Sequence, residues 1–199
     1  MQNEVRPLAP PFRVLLGPGP SEVAPSVMQA LGKPTLGHLD PEFLRIMDEA
    51  RAMLRRTFQT QSELCMPMSG TGSAGMQTCV DNLVEPGDRV LVGVCGYFGG
   101  RIAEMARRAG GQVTVVEGEW GRALDVERLR SAAAGKRQKV VAVVHAETST
   151  GVLQPLAPVK ELADELGALL LVDCVTSLGG LDFRFDEWGI DAAFSGTQK

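Results

Sequence analysis

The sequence predicts an α/β domain with a mixed, mainly parallel sheet and helices on both of its faces, and three observations carry that expectation. Short apolar runs of strand length alternate with segments of helical periodicity along most of the chain. The 199 residues, 44% hydrophobic and 22% charged, are enough to bury a real core. After residue 20 no internal repeat, low-complexity tract or shift of composition marks a linker.

Residues 1–20 are rich in Pro and Gly and end in Leu16-Gly17-Pro18-Gly19-Pro20, which breaks both helix and central strand. They read as an arm, and 21–199 as one large domain. From Pro41 the apolar residues Leu44, Met47, Ala50, Leu54 and Phe58 recur at three- and four-residue intervals, the pattern of one long amphipathic helix. Asp40 before Pro41 supplies its cap and first turn. Strands are then expected at 64–68, 89–94, 112–116, 140–145, 168–173 and 192–194. Helices are expected between them at 73–84, 99–109, 126–134 and 158–166.

The bulk chemistry narrows the partners. A net charge of −4 with evenly scattered Lys and Arg leaves no basic stripe for nucleic acid. Cys65, Cys79, Cys95 and Cys174 lie far apart among apolar or small residues and read as reduced, buried thiols rather than disulfides or a metal site. No apolar run approaches the ~20 residues of a membrane span, and residues 1–11 do not have the pattern of a secretion signal. A cytoplasmic location with small-molecule partners is expected.

In open α/β sheets ligands collect at the carboxyl ends of the strands, so the residues just beyond each apolar run are the candidates for chemistry. Ser69-Gly70-Thr71-Gly72-Ser73-Ala74-Gly75 opens a predicted helix, where backbone N–H groups, the helix dipole and hydroxyls converge as a phosphate site. The glycines also spell Gly-x-Gly-x-x-Gly, which makes a dinucleotide-binding oxidoreductase the rival, and a plain tight turn the bland alternative. A dinucleotide site wants an acid at the end of the next strand. That strand ends Gly93-Val94-Cys95-Gly96-Tyr97-Phe98, with none.

Phe98, on a loop beside the glycine loop, could stack on a planar cofactor or simply join the core. Ala146-Glu147-Thr148-Ser149-Thr150 places four polar side chains after a strand, where a hydroxyl could reach a ring substituent; Glu147 stays unassigned. Asp173 closes the run Leu169-Leu170-Leu171-Val172, so it is expected to be buried and to need a cation or donors. Lys199 follows Ser195-Gly196-Thr197-Gln198 behind a short apolar run, where a desolvated lysine can be a nucleophilic amine. An acid for a pyridine nitrogen and a lysine for an aldehyde together fit pyridoxal phosphate. Of the two histidines, His145 reads as structural, and His38 is a candidate to face substrate.

With these residues in view, the chain resembles the class V aminotransferases. The segments that carry the resemblance are Leu16 to Ser21, Ser69-Gly70-Thr71-Gly72, Glu85-Pro86-Gly87-Asp88, Glu147 to Val152, Val172-Asp173 and Ser195 to Lys199, in order along the chain. The alanine–glyoxylate and serine–glyoxylate (serine–pyruvate) branches are the most similar. The resemblance implies the large domain of a fold type I enzyme using pyridoxal 5'-phosphate. In it Lys199 forms the Schiff base, Asp173 partners the pyridine nitrogen, Thr148 serves the phenolic oxygen and Phe98 stacks on the ring. Thr71, Gly72 and Gln198 match phosphate contacts; Ser69, Gly70 and Ser73 of the same loop are further cofactor-binding candidates, and Gly19 and His38 are substrate candidates. The stacking position is often tryptophan, so Phe98 is a departure. The histidines of the related cysteine desulfurases are missing, which disfavours sulfur transfer.

The implied reaction is a ping-pong transfer of an amino group from alanine or serine to glyoxylate or pyruvate. Glu119-Trp120-Gly121 and Asp186-Glu187-Trp188 instead resemble ureidoglycine–glyoxylate aminotransferases, although those tend to carry glutamine where His38 stands. The resemblance further implies a homodimer and a smaller C-terminal domain. It follows as an expectation that the 199 residues lack that domain, the last strands of the large domain and the arginine that grips the substrate carboxylate.

Overall fold

The computed structural model describes residues 7–199. They divide into a small unit, which runs to Pro34 and includes Gln198 and Lys199, and a large one, Thr35–Thr197. In the small unit the single helix α1, Pro25–Leu31, starts on a proline and buries none of its residues. The large unit opens with α2, Pro41–Phe58, whose first turn is capped as expected: Asp40 Oδ1 accepts from the Glu42 N–H at 2.8 Å.

The remaining elements alternate. They are α3 (Gly72–Leu83), β1 (Arg89–Val94), α4 (Tyr97–Arg108), β2 (Gln112–Glu117), α5 (Val126–Ala133), β3 (Val140–Val144), α6 (Ala157–Glu165), β4 (Leu169–Asp173) and β5 (Ala192–Phe194). The sheet order is β2-β1-β3-β4-β5, and every pairing of these strands is parallel. The antiparallel component expected of a mixed sheet is reduced, among the described residues, to the isolated bridge Ala146–Leu153.

One expected strand does not form. Residues 64–68 are irregular, with Leu64, Met66 and Met68 exposed. A strand needs a neighbour to take its N–H and C=O groups, and the Leu64 N–H instead bonds the Ser62 hydroxyl at 3.2 Å.

Side chains on successive strand residues point to opposite faces, and the core divides accordingly. Leu91, Val141, Val143, Leu170 and Val172 join α5 and α6 in one cluster. Val90, Val92, Val94, Val140, Ala142, Val144 and Leu171 join α3 and α4 in the other. Both faces of the sheet are therefore dry, as parallel strands require. The four thiols are free; Cys95 and Cys174 are buried, while Cys65 and Cys79 are only half-buried, fewer than the sequence led us to expect. Burial pushes the Cys79 thiol up to about 11 and Cys95 and Cys174 upward as well. No helix among the described residues is long and apolar enough to cross a membrane.

Candidate active site

The carboxyl ends of β1, β3, β4 and β5 and the amino end of α3 meet on one side of the large unit. Asp173 is the last residue of β4 and is 3% exposed. By strand alternation it shares a face with Leu171, the face covered by α3 and α4. Its Oδ1 accepts from the Val175 N–H at 3.0 Å, which fixes the carboxylate as the chain turns out of the strand. Burying an anion is unfavourable unless donors surround it, and the Val175 N–H is one such donor.

The glycine loop lies against the same turn. A Cβ on Gly72 would stand 3.4 Å from a Val175 methyl and 4.0 Å from Gly196 Cα, so the loops after β4 and β5 pack directly on the start of α3. Gly75 faces Phe194 of β5 with similar closeness, 3.3 Å. Gly70 has a positive φ of 148°, and a side chain there would collide with Ala74. Thr71 is the N-cap residue of α3, yet its hydroxyl makes no capping bond. Its carbonyl takes the N–H groups of Ala74 and Gly75. The earlier N–H groups, on Gly72 and Ser73, have no carbonyl within the helix to bond and point outward from its start. Ser69, Gly70, Thr71, Gly72 and Ser73 thus open a helix as expected, although no strand precedes them.

Phe98 is half-buried in the first turn of α4 and packs on the core face that carries Asp173. Thr148 lies half-buried in the loop after β3, the strand next to β4. Between them stands a residue that sequence reasoning left unassigned. Glu147 is 1% exposed, and its carboxylate accepts from the N–H groups of Phe98 (3.1 Å) and Gly99 (3.3 Å) and from the Ser149 N–H (3.1 Å) and hydroxyl (2.8 Å). The Ser149 hydroxyl in turn accepts from the Tyr97 N–H at 2.8 Å, and the Thr150 hydroxyl donates to the Cys95 carbonyl at 3.0 Å. The signal was present: an acid just past the run Val140–Val144 poses the same burial problem as Asp173.

In the small unit, the Gln198 carbonyl accepts from the Ser21 N–H at 2.9 Å and from its hydroxyl at 3.2 Å. Lys199 lies along Gly19: a Cβ on that glycine would stand 2.6 Å from Lys199 Cδ and 2.7 Å from Nζ. The lysine chain runs over the space that a side chain at 19 would fill, and Gly19 carries a φ of 128° that favours glycine. Lys199 is exposed among the described residues, so the desolvation expected for it is not supplied by them.

His38 is exposed in the turn before α2, and no described contact ties it to the strand ends. His145 is structural, as expected. It is buried, its Nδ1 lies 2.9 Å from the Ser177 hydroxyl, and it sits edge-on to Trp188 beside Phe183. The stretch 186–188 supports the fold: Asp186 takes the Thr60 hydroxyl at 2.6 Å and the Gln61 N–H at 2.8 Å. These bonds hold the Asp186 carboxyl below its usual range. Trp120, by contrast, is 66% exposed.

The donor set suits a phosphorylated pyridine: hydroxyl and amide donors at a helix start, a buried carboxylate, an aromatic side chain and a hydroxyl. Comparison with known proteins gives the same direction. The family model "Aminotransferase class-V" matches residues 14–199. An alanine–glyoxylate aminotransferase of Drosophila melanogaster is 43% identical over 195 residues, 98% of this chain and 50% of that protein. An (S)-ureidoglycine–glyoxylate transaminase of Bacillus subtilis is 41% identical over 194 residues, 98% of this chain and 47% of that protein. Among solved structures, an alanine–glyoxylate aminotransferase from Nostoc sp. superposes with a TM-score of 0.94 at 51% identity, covering 98% of this chain and 52% of that one. The chain spans about half the length of the curated relatives it matches.

Proposed function

Since the chain belongs to the class V aminotransferase family, we propose that it is the cofactor-binding part of an enzyme that moves an amino group from a small amino acid to a 2-oxo acid. Alanine or serine is the donor and glyoxylate or pyruvate the acceptor. Pyridoxal 5'-phosphate, when bound, supplies an aldehyde that takes up amines and a cationic ring that draws electrons from the adjoining carbon.

The chain's own residues do the rest. The Thr71 and Ser73 hydroxyls and the Gly72 and Ser73 amides take the phosphate at the positive end of α3, with Ser69, Gly70 and Gln198 completing its surround. Asp173 accepts the pyridine N–H and so keeps that nitrogen protonated. This is the observation that carries the reading: a carboxylate 3% exposed at the end of a strand and fixed by the Val175 N–H presents a held negative charge that a cationic ring N–H matches. Phe98 would cover one face of the ring and Thr148 would donate to its phenolic oxygen. Lys199 would supply the amine that holds the cofactor's aldehyde, and as a free base it would take the α-proton of the amino acid, an acid–base role worth ~10²–10⁴-fold. Gly19, by leaving room along Lys199, lets that amine be approached. A homodimer and a separate small domain bearing the carboxylate-binding arginine complete the proposal.

The test is the visible spectrum of the whole protein before and after borohydride. Borohydride should fix the cofactor covalently in the wild type and leave it dialysable in Lys199→Ala; covalent fixation in that variant would overturn the role of Lys199. Alanine, serine and (S)-ureidoglycine, each added without acceptor, should separate the donors, since only a true donor converts the cofactor to its amino form. A protein that holds nicotinamide or flavin instead would refute the reading.

A further inference from the structure

We infer that Glu147 is a positioning residue that sets the stacking side chain Phe98 and the hydroxyl of Thr148 in one frame; the inference rests on the cofactor reading above. Three observations point to it. First, the carboxylate is buried on the inner side of the sheet's carboxyl edge and is filled by donors from two separate segments, α4 and the loop after β3. A carboxylate that takes the free amides of a helix start is held by charge-assisted bonds and by the helix dipole together.

Second, the fastening is continuous along both segments. Tyr97, Phe98 and Gly99 give their N–H groups to Ser149 or Glu147, and the Cys95 carbonyl takes the Thr150 hydroxyl. Of the four polar side chains at 147–150, three are spent on this seam. Thr148 takes no part in it and keeps its hydroxyl for another partner. Third, Gly96 shows how closely the seam is drawn. A Cβ there would lie 2.4 Å from both Glu147 Cγ and Ser149 Oγ, so the segments meet only because residue 96 has no side chain.

The consequence is geometric. Phe98 and Thr148 belong to elements far apart along the chain, yet the Phe98 N–H and the residue next to Thr148 end on one carboxylate. If Phe98 covers the ring and Thr148 meets its edge, Glu147 fixes the tilt of the ring between them without touching it. Loss of that frame should act on ring orientation, with small effect on the encounter with substrate.

The experiment uses the whole holoenzyme with Glu147→Gln and, in parallel, Ser149→Ala. The amide introduced by Glu147→Gln keeps the volume, removes the charge, and turns an NH₂ group toward N–H donors. Visible circular dichroism of the bound cofactor reads ring orientation; titration of apoprotein with pyridoxal phosphate reads affinity; steady-state kinetics reads the split of kcat from KM. Glu147→Gln should weaken or invert the dichroic band, loosen the cofactor about tenfold, and lower kcat while KM for the amino donor stays near the wild-type value. Ser149→Ala should show the same changes in smaller measure.

An unaltered dichroic band and unaltered affinity in folded Glu147→Gln would overturn the inference. If that variant does not fold, an unaltered band in Ser149→Ala does so. Wild-type protein that binds no pyridoxal phosphate would sink the underlying reading, whereas wild type that binds it normally beside an unperturbed variant sinks the positioning role alone.

Discussion

At the scale of single residues, Asp173 and Glu147 are both buried acids at the carboxyl edge of the sheet, and the role of only the first was legible in the sequence. Asp173 closes a run of five residues that pack into the sheet, so its need for a polar partner is visible from its neighbours alone. Glu147 satisfies itself on backbone amides 48 and 49 positions away, and no side-chain pattern announces a backbone donor. Asp173→Ala should cost ~3–5 kcal/mol of cofactor binding if the ring nitrogen is its partner; wild-type affinity by apoprotein titration would contradict the pairing. His145 gives a pH effect with a definite sign. Burial holds its imidazole below the ordinary value, so the folded chain keeps it neutral where the unfolded chain protonates it. Its stabilising contribution is complete above about pH 6.5 and declines as pH falls through the lower folded value. His145→Phe should flatten the fall of the urea midpoint as pH drops below about 6.5, measured beside the wild type.

At the scale of elements, the strands that pair with described neighbours were legible and the one that does not was misread. The strand 192–194 was placed as observed, and α2 began and ended where its periodicity and the Asp40 cap put it. Residues 64–68 have the composition of a strand, but composition specifies neither a partner nor a register. The starts of α3 and α6 lie one residue before the expected positions, and that of α4 two before, at Tyr97, where Glu147 and Ser149 provide long-range capping in place of a local cap. Gly96→Ala tests that start: the added methyl should cost ~1–3 kcal/mol by thermal or urea unfolding. Unchanged stability would show that the seam yields easily.

At the scale of the molecule, the alternation of strand and helix was enough to give the parallel, two-faced sheet, because burial on both sides is the only way to keep such strands dry. The strand order and the joining of Gln198 and Lys199 to the N-terminal unit were not legible, as both depend on contacts between distant segments. Leu170, wholly buried on the α5 and α6 face of β4, anchors the strand that ends in Asp173. Leu170→Ala should destabilise the whole protein by ~2–5 kcal/mol in chemical denaturation; a loss under about 1 kcal/mol, below the usual range for a buried leucine, would mean that this face of the sheet repacks freely.

The four thiols described with the sheet also amount to a built-in clock. Cys95 sits just past β1 and Cys174 just past β4, both without solvent access, while Cys65 and Cys79 are half-reachable. Only the thiolate reacts with an alkylating reagent, and burial suppresses it at Cys95 and Cys174. A brief pulse of iodoacetamide during unfolding, followed by peptide mass mapping, therefore time-stamps the opening of the sheet on either side of β3 without any introduced label.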